Sequence, residues 1–140
     1  YGKIFKISNK VFNYKNKIQA EKRIIFEIKK KKIKLICLAG FMRILSKDFI
    51  KNFKGRILNI HPSLLPKYKG LNTHQRVISN REKYSGCTVH FVNSRLDSGK
   101  IILQKKVKIN SSETAKSLAK KILTQEHKLY PKAINKVFSL

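Results

Sequence analysis

The sequence contains little acid, little cysteine and little glycine. Only 7 residues are Asp or Glu against 33 Lys or Arg, so the 140-residue chain has a formal net charge of +26. The 2 cysteines and 4 dispersed histidines form no ligand spacing such as Cys-x-x-Cys, and we predict no metal site. The 6 glycines are never closely spaced, which argues against a phosphate-binding glycine loop.

Long apolar runs are also missing. No run approaches the roughly 18 residues of a membrane span, and residues 1–6 lack the charged start and apolar stretch of a signal peptide. Cys37 and Cys87 lie in short apolar runs, a position typical of reduced core cysteines in cytosolic proteins. We therefore predict a cytoplasmic protein with no disulfide and no membrane partner.

Length and composition predict one domain over residues 1–140. The chain is long enough for a single core and too short for two domains of typical size. Its hydrophobic fraction of 41% supplies that core. We therefore expect a folded chain in spite of the charge.

The positive charge has two interpretations, nucleic-acid binding and a general bias in residue usage. Of the 33 cations, 27 are Lys and 6 are Arg, and the lysines are scattered along the chain. Base-reading interfaces favour Arg. We therefore favour a solvated basic surface and predict no specific nucleic acid partner.

Alternating helical and strand patterns predict a three-layer α/β fold. Ile4 and Ile7 indicate a short opening strand, and the apolar spacing from Ile18 to Ile28 indicates a helix with Ile18 on its inward face. The continuous apolar run at 35–39 is typical of a strand buried on both faces of a parallel sheet. Strands and helices at this spacing predict a mostly parallel sheet with right-handed crossovers.

The remaining patterns predict a hairpin and a long final helix. Ser46 is a candidate N-cap of a helix, and the last helix has an N-cap among Ser111, Ser112 and Thr114. The other predicted elements are strands at 56–60, 87–92 and 101–109 and a helix at about 73–80. The strands at 87–92 and 101–109 are joined by a loop that contains Asp97, and we expect them to pair as an antiparallel hairpin.

Polar residues follow the second predicted strand. Asn59 and His61 are two apart on an extended segment, so their side chains point to the same side. An amide and an imidazole aimed at one point can hold a carbonyl oxygen as it becomes an oxyanion. The alternative is that Asn59 satisfies a turn and His61 is an ordinary buried histidine. If Asp97 reaches His61, its charge favours the imidazolium form, which is the better oxyanion partner.

Glu126 is a second acid in an unusual position. It lies four residues after Ile122, on the inward stripe of the last helix. Carboxylates in such a stripe are rare unless they are paired or face a pocket. A helix-edge residue that reaches solvent is the alternative.

Five segments in one order resemble those of phosphoribosylglycinamide formyltransferases. They are 38–46 (LAGFMRILS), 59–68 (NIHPSLLPKY), 86–92 (GCTVHFV), 96–99 (LDSG) and 124–127 (TQEH). The resemblance covers nearly the whole chain and implies a Rossmann-like formyltransferase fold. It also implies that the chain lacks the family's first strand and helix, which bind the substrate phosphate, and its closing segment. On this view residues 1–140 are an incomplete catalytic domain.

The resemblance implies formyl transfer from 10-formyltetrahydrofolate, as cosubstrate, to the amine of glycinamide ribonucleotide in purine biosynthesis. Asn59, His61 and Asp97 match the family's catalytic residues. Met42, Arg43 and Leu45, together with Asp97, match the folate-binding positions, and Gly40 and Glu126 match positions that bind the ribonucleotide. It leaves open whether the protein is a monomer or a homodimer.

Three other functions remain in competition. Formyltetrahydrofolate deformylases share the Asn, His and Asp arrangement but typically add an N-terminal regulatory domain. Methionyl-tRNA formyltransferases usually carry an Arg-Gly-Ala-Ala-Pro-like stretch where this chain has 69–74 (KGLNTH), and they add a tRNA-binding barrel. A basic nucleic-acid-binding module without catalysis is the third, although it has no need of the three polar residues.

Overall fold

Helices and strands alternate along the chain, and a hairpin and a long helix complete the fold. The structure is a computed structural model that describes residues 4–138. The elements are α1 (Lys17–Lys30), β1 (Leu35–Leu38), α2 (Lys47–Asn52), β2 (Arg56–His61), α3 (Thr73–Ser79), β3 (Tyr84–Phe91), β4 (Ile101–Lys108) and α4 (Ala115–Phe138). The predicted hairpin and the predicted long final helix are therefore present.

The strands form one sheet in the order β1-β2-β3-β4. β1 and β2 are parallel, with Leu38 beside Asn59, because α2 carries the chain back between them. β3 runs antiparallel to β2, and β4 runs antiparallel to β3. The α/β class is confirmed, while the sheet of residues 4–138 is mixed instead of mostly parallel.

Apolar side chains on the two faces of the sheet build two core clusters. Ile57 and Ile60 are three apart on β2 and therefore point to opposite faces. Ile57 packs in a cluster with α1 and α2, and Ile60 packs against a cluster with α3 and α4. Helices cover both faces, so the three predicted layers are present.

Side-chain caps define where the helices begin. The Ser46 hydroxyl accepts a hydrogen bond from the Phe49 N–H at 3.0 Å, which confirms the predicted N-cap of α2. The Thr114 hydroxyl accepts from the Ser117 N–H at 3.1 Å at the start of α4. Thr114 is thus the cap among the three predicted candidates.

Two predictions about the first 18 residues are wrong. The chain forms a turn at 4–6 and no strand at Ile4 or Ile7, whose side chains are 76% and 62% exposed. No strand of the described sheet pairs with this segment, and residues three apart do not share one face of a strand, so the two isoleucines define no buried strand face here. Ile18 lies in the first turn of α1 and is exposed, whereas Ile28 is buried as predicted.

The predicted burial of β1 is also wrong. It lies at the edge of the described sheet, and its side chains are half-buried or exposed. Cys37 is exposed, so the predictions of a strand buried on both faces and of a core Cys37 are wrong. Cys87 on β3 is fully buried as predicted, and burial raises the pKa of its thiol to about 12.

Candidate active site

Two loops begin at the same edge of the sheet. Because β1 and β2 are parallel and Leu38 pairs with Asn59, the loop at 39–46 and the loop that follows His61 leave the sheet side by side. Ligands of α/β sheets bind at this edge, outside the carboxyl ends of parallel strands. The two loops are therefore in position to line one ligand site.

Asn59, His61 and Asp97 converge at this edge. Asn59 is half-buried and His61 is buried, and both side chains lie on the α1 and α2 face of β2. The Asp97 carboxylate comes from the loop between β3 and β4, and its Oδ2 lies 3.4 Å from His61 Nδ1. Asp97 thus reaches His61, which was the open condition of the sequence argument.

Backbone geometry holds Asp97 in place. Its φ is +44°, in the left-handed region, and its Oδ2 accepts a hydrogen bond from the Gly70 N–H at 2.8 Å. Two residues later the chain passes so close to the Phe91 carbonyl that a Cβ on Gly99 would collide with it. Glycine at position 99 is therefore part of what positions the acid.

The two ring nitrogens of His61 both face acceptors. Nε2 lies 2.8 Å from the Tyr68 carbonyl oxygen, and Nδ1 lies 3.4 Å from the Asp97 carboxylate. Neither partner can donate, so each ring nitrogen makes a hydrogen bond here only when it carries a hydrogen. The Nδ1 contact is longer than a close charge-assisted hydrogen bond of about 2.8 Å. The Nδ1–H is therefore the group of His61 that has capacity left for a ligand.

His90 also belongs to this group, and the sequence argument missed it. Its Nε2 lies 3.4 Å from Asn59 Nδ2 and 3.7 Å from Asp97 Oδ1. Burial lowers the pKa of His90, against the opposing effects of the Phe91 carbonyl and the Asp97 charge. The signal was the antiparallel register, which pairs Asn59 with His90, but pairing partners are not readable from one strand alone.

The loop at 39–46 combines exposed and anchored residues. Gly40 has a φ of +61°, and its position has open space for a Cβ. Met42 is 75% exposed, and the Arg43 guanidinium lies 5.1 Å from the centre of the Tyr14 ring. Leu45 is buried in the core cluster of α1 and α2, so its side chain is not available to a ligand.

A buried acid of α1 anchors the same loop, which the sequence argument also missed. Glu21 is 5% exposed and accepts a hydrogen bond from the Ser46 N–H at 3.0 Å. Burial of Tyr14 raises the pKa of its hydroxyl, and the nearby Glu21 adds to this shift; the Tyr14 ring also packs edge-on against Phe41 at 6.1 Å. Glu21 and Tyr14 thus contact the loop at 39–46 and help to fix its position.

Glu126 lies on α4 one turn before Tyr130. The Tyr130 hydroxyl donates to the Leu38 carbonyl oxygen at 2.8 Å, at the end of β1, and to the Leu58 carbonyl oxygen at 3.2 Å, in the middle of β2. Glu126 is half-buried, forms no hydrogen bond or ion pair within residues 4–138, and has a pKa raised by burial. Its carboxylate is therefore free to accept from a ligand near this edge.

The described residues hold neither a cluster of metal ligands nor a membrane-spanning helix. Residues 4–138 contain no cluster of three or more His, Cys, Asp or Glu side chains arranged to hold a metal ion. No helix within the same residues is both long and apolar enough to cross a membrane.

Comparison with known proteins identifies the family. A model of the formyl transferase family matches residues 3–134. The chain is 44% identical over 115 residues to phosphoribosylglycinamide formyltransferase of Escherichia coli. This alignment covers 82% of this chain and 54% of that protein. The chain is also 42% identical over 126 residues to the human trifunctional purine biosynthetic protein adenosine-3. That alignment covers 90% of this chain and 12% of that protein.

A solved structure agrees with these relatives. Phosphoribosylglycinamide formyltransferase from Streptococcus pneumoniae matches with a TM-score of 0.92 and 29% identity, covering 98% of this chain and 78% of that one. The chain spans about half the length of its Escherichia coli relative. With its matched residues, its fold and these relatives, the chain belongs to the formyl transferase family.

Proposed function

We propose that the protein transfers the formyl group of 10-formyltetrahydrofolate to the amine of glycinamide ribonucleotide. The convergence of Asn59, His61 and Asp97 at the end of β2 carries the proposal, because it places an amide, an imidazole and a carboxylate at one point. Membership of the formyl transferase family and relatives named phosphoribosylglycinamide formyltransferase support the same reaction.

The reaction needs oxyanion stabilisation and one net proton transfer. The amine nitrogen bonds to the formyl carbon, and the carbonyl electron pair moves to oxygen. The tetrahedral oxyanion then expels N10 of the folate. The amine nitrogen loses one proton and N10 gains one, so the products are the formylated ribonucleotide and tetrahydrofolate.

Asn59 and His61 supply the donors for that oxyanion. The Nδ1–H of a charged His61 and one N–H of the Asn59 amide point toward the same side of β2. Preorganised donors of this kind act most strongly in a buried site, where water does not compete. Asp97 orients the His61 ring through the contact with Nδ1, and its carboxylate accepts the proton that the amine loses and passes it on toward N10.

The flanking loop and α4 provide binding groups. The loop beside Asn59 carries the exposed Met42 and also Arg43, whose guanidinium packs over the Tyr14 ring. We assign this loop, including Gly40 and the backbone of Leu45, to binding of the folate and the substrate. Glu126 has an unpartnered carboxylate, which suits hydrogen bonds from the hydroxyl groups of a ribose.

A cytoplasmic location fits this reaction. Both cysteines are free in the structure, as expected in a reducing compartment. We therefore keep the cytoplasmic assignment as part of the proposal.

The test is a comparison of three reactions on the purified full-length protein supplied with 10-formyltetrahydrofolate. Glycinamide ribonucleotide, initiator methionyl-tRNA and water serve in turn as the acceptor, and formylated product or formate is measured. Formylation of the ribonucleotide alone supports the proposal. Formate release without any amine substrate identifies a deformylase, and formylation of the tRNA identifies the tRNA enzyme.

A further inference from the structure

The segment at 67–71 presents backbone groups to two of the proposed catalytic side chains. The Tyr68 carbonyl oxygen lies 2.8 Å from His61 Nε2, and the Gly70 N–H donates to Asp97 Oδ2 at 2.8 Å. Tyr68 and Gly70 have φ values of +56° and +78°, so the segment belongs to no regular helix or strand. Within the same loop, Ser63 Oγ donates to the Lys67 carbonyl oxygen at 2.7 Å and the Lys67 N–H donates to the Leu64 carbonyl oxygen at 3.1 Å. Side chains from outside the loop supply further contacts.

Arg76 of α3 is the first of these contacts. Its Nη1 donates to the Lys69 carbonyl oxygen at 2.7 Å and to the Leu71 carbonyl oxygen at 3.4 Å. Its guanidinium carbon lies 5.4 Å from the centre of the Tyr68 ring. A single side chain thus bridges the two carbonyls on either side of Gly70 and covers the ring of Tyr68.

Glu82, between α3 and β3, makes the second contact with the segment at 67–71. Its Oε1 accepts from the Tyr68 hydroxyl and from Lys67 Nζ, both at 2.9 Å. The Asn80 side-chain amide donates to the same Tyr68 hydroxyl at 3.0 Å. The hydrogen bonds from Lys67 and Tyr68 lower the pKa of Glu82, so it is a carboxylate at neutral pH.

We propose that Arg76 and Glu82 are positioning residues that act through the segment at 67–71. They hold it so that the Tyr68 carbonyl fixes the His61 ring and the Gly70 N–H fixes the Asp97 carboxylate. Neither residue contacts His61 or Asp97 itself, and both lie outside the five segments that resemble the family. The inference rests on the proposed function, since it assigns their effect to the same site.

Loss of either contact lets the segment move while the core of the sheet stays intact. His61 Nε2 then exchanges a fixed acceptor for water, and the donors of the oxyanion lose their orientation. Because these donors act in the transition state, we expect kcat to fall about 10- to 100-fold. We expect KM for the folate to change by less than about threefold, because the loop at 39–46 is untouched.

The experiment compares Arg76→Ala, Arg76→Lys, Glu82→Ala and Glu82→Gln, with Arg23→Ala on α1 as the matched loss of a surface arginine. Arg76→Lys retains one bond to a carbonyl, and Glu82→Gln retains an acceptor, so both should recover part of kcat. Arg23→Ala should leave kcat unchanged. Equal kcat values in all five variants would overturn the proposal.

A double-mutant cycle with His61 separates positioning from a general loss of stability. If Arg76 acts through His61, Arg76→Ala should cost little more in a His61→Ala background, where there is no ring left to orient. Additive losses in the two backgrounds would show that Arg76 acts elsewhere and would contradict the inference.

A second readout does not depend on the reaction. The Nε2–H proton of His61, which bonds to the Tyr68 carbonyl, should give a protected NMR resonance that weakens in Arg76→Ala and persists in Arg23→Ala. If the protein proves to formylate no ribonucleotide, this signal still tests the positioning, so the two failures are distinguishable. An unchanged resonance in Arg76→Ala would overturn it.

Discussion

Asn59 and His90 face each other across the β2–β3 ladder, with Asn59 Nδ2 3.4 Å from His90 Nε2. His90 Nδ1 lies 2.8 Å from the Phe91 carbonyl oxygen, so Nδ1 carries the proton. The neutral ring therefore offers Nε2 as an acceptor to one N–H of Asn59. The second N–H of that amide stays available for an oxyanion.

Replacing His90 should impair the chemical step more than substrate binding. His90→Phe keeps an aromatic ring but removes the acceptor, so the Asn59 amide loses its orientation. We expect kcat to fall about 10-fold, with KM for both substrates within about threefold of the parent. Steady-state kinetics measure both constants. A change confined to KM would assign His90 to substrate binding instead.

His61→Ala and Asp97→Asn should each lower kcat for formyl transfer by at least about 100-fold. The first removes an oxyanion donor, and the second removes the charge that favours the imidazolium. Folate affinity should be nearly unchanged, because the loop at 39–46 is intact; equilibrium titration with the folate checks this. Either variant with a parental kcat would contradict the mechanism.

Local patterns predicted the elements well because caps and apolar spacing act within a few residues. Ser46 and Thr114 cap their helices as expected, and the two strands on either side of the Asp97 loop pair as a hairpin. The failures concern positions whose state depends on a distant neighbour. Ile4 and Ile7 have no strand of the described sheet beside them, and Cys37 is exposed because β1 lies at the edge of that sheet.

In the candidate site, too, local patterns predicted some features, and others depend on residues distant in the sequence. The strand period alone placed Asn59 and His61 on one side, whereas the contact with Asp97 depends on a loop 36 positions away in the sequence. The sequence pattern does not predict that Glu21 is buried, because an acid on an amphipathic helix usually faces water. Only its bond to Ser46 across α1 and α2 shows why it is buried.

Two histidines should make the fold less stable as the pH falls below about 6.5. Burial lowers the pKa of both His74 and His90 from the ordinary value of 6.5, so the unfolded chain binds more protons than the folded chain in this range. The free energy of unfolding is then greatest above pH 6.5 and falls as the pH drops through the folded pKa values. Urea denaturation between about pH 8 and pH 5.5 measures the slope.

The double variant His74→Gln, His90→Gln is the control for that slope. Glu126 acts in the opposite direction because burial raises its pKa, but both proteins contain it, so the difference between their slopes isolates the histidines. We expect a smaller slope in the double variant. Equal slopes would show that neither histidine is responsible.

Glu21 should matter for stability through its hydrogen bond to the Ser46 N–H. Glu21→Ala leaves this N–H without its buried acceptor and should lower the free energy of unfolding by about 1–3 kcal/mol. Glu21→Gln retains a side-chain oxygen and should cost less. Denaturant midpoints of the two variants test the difference, and Glu27→Ala on the same helix is a more exposed control. Equal losses at Glu21→Ala and Glu27→Ala would exclude this role.

Gly99→Ala should disable the site without touching a polar group. An added Cβ would collide with the Phe91 carbonyl, which is rigid backbone, so the loop between β3 and β4 must shift and carry Asp97 away from His61. Because displacement by about 1 Å can cost 100-fold in rate, we expect a loss of kcat comparable to that of Asp97→Asn. Ser98→Ala is the neighbouring control, since its hydroxyl is at the surface and donates to the Leu96 carbonyl oxygen at 2.7 Å. A parental kcat in Gly99→Ala would mean that the close approach to Phe91 does not position the acid.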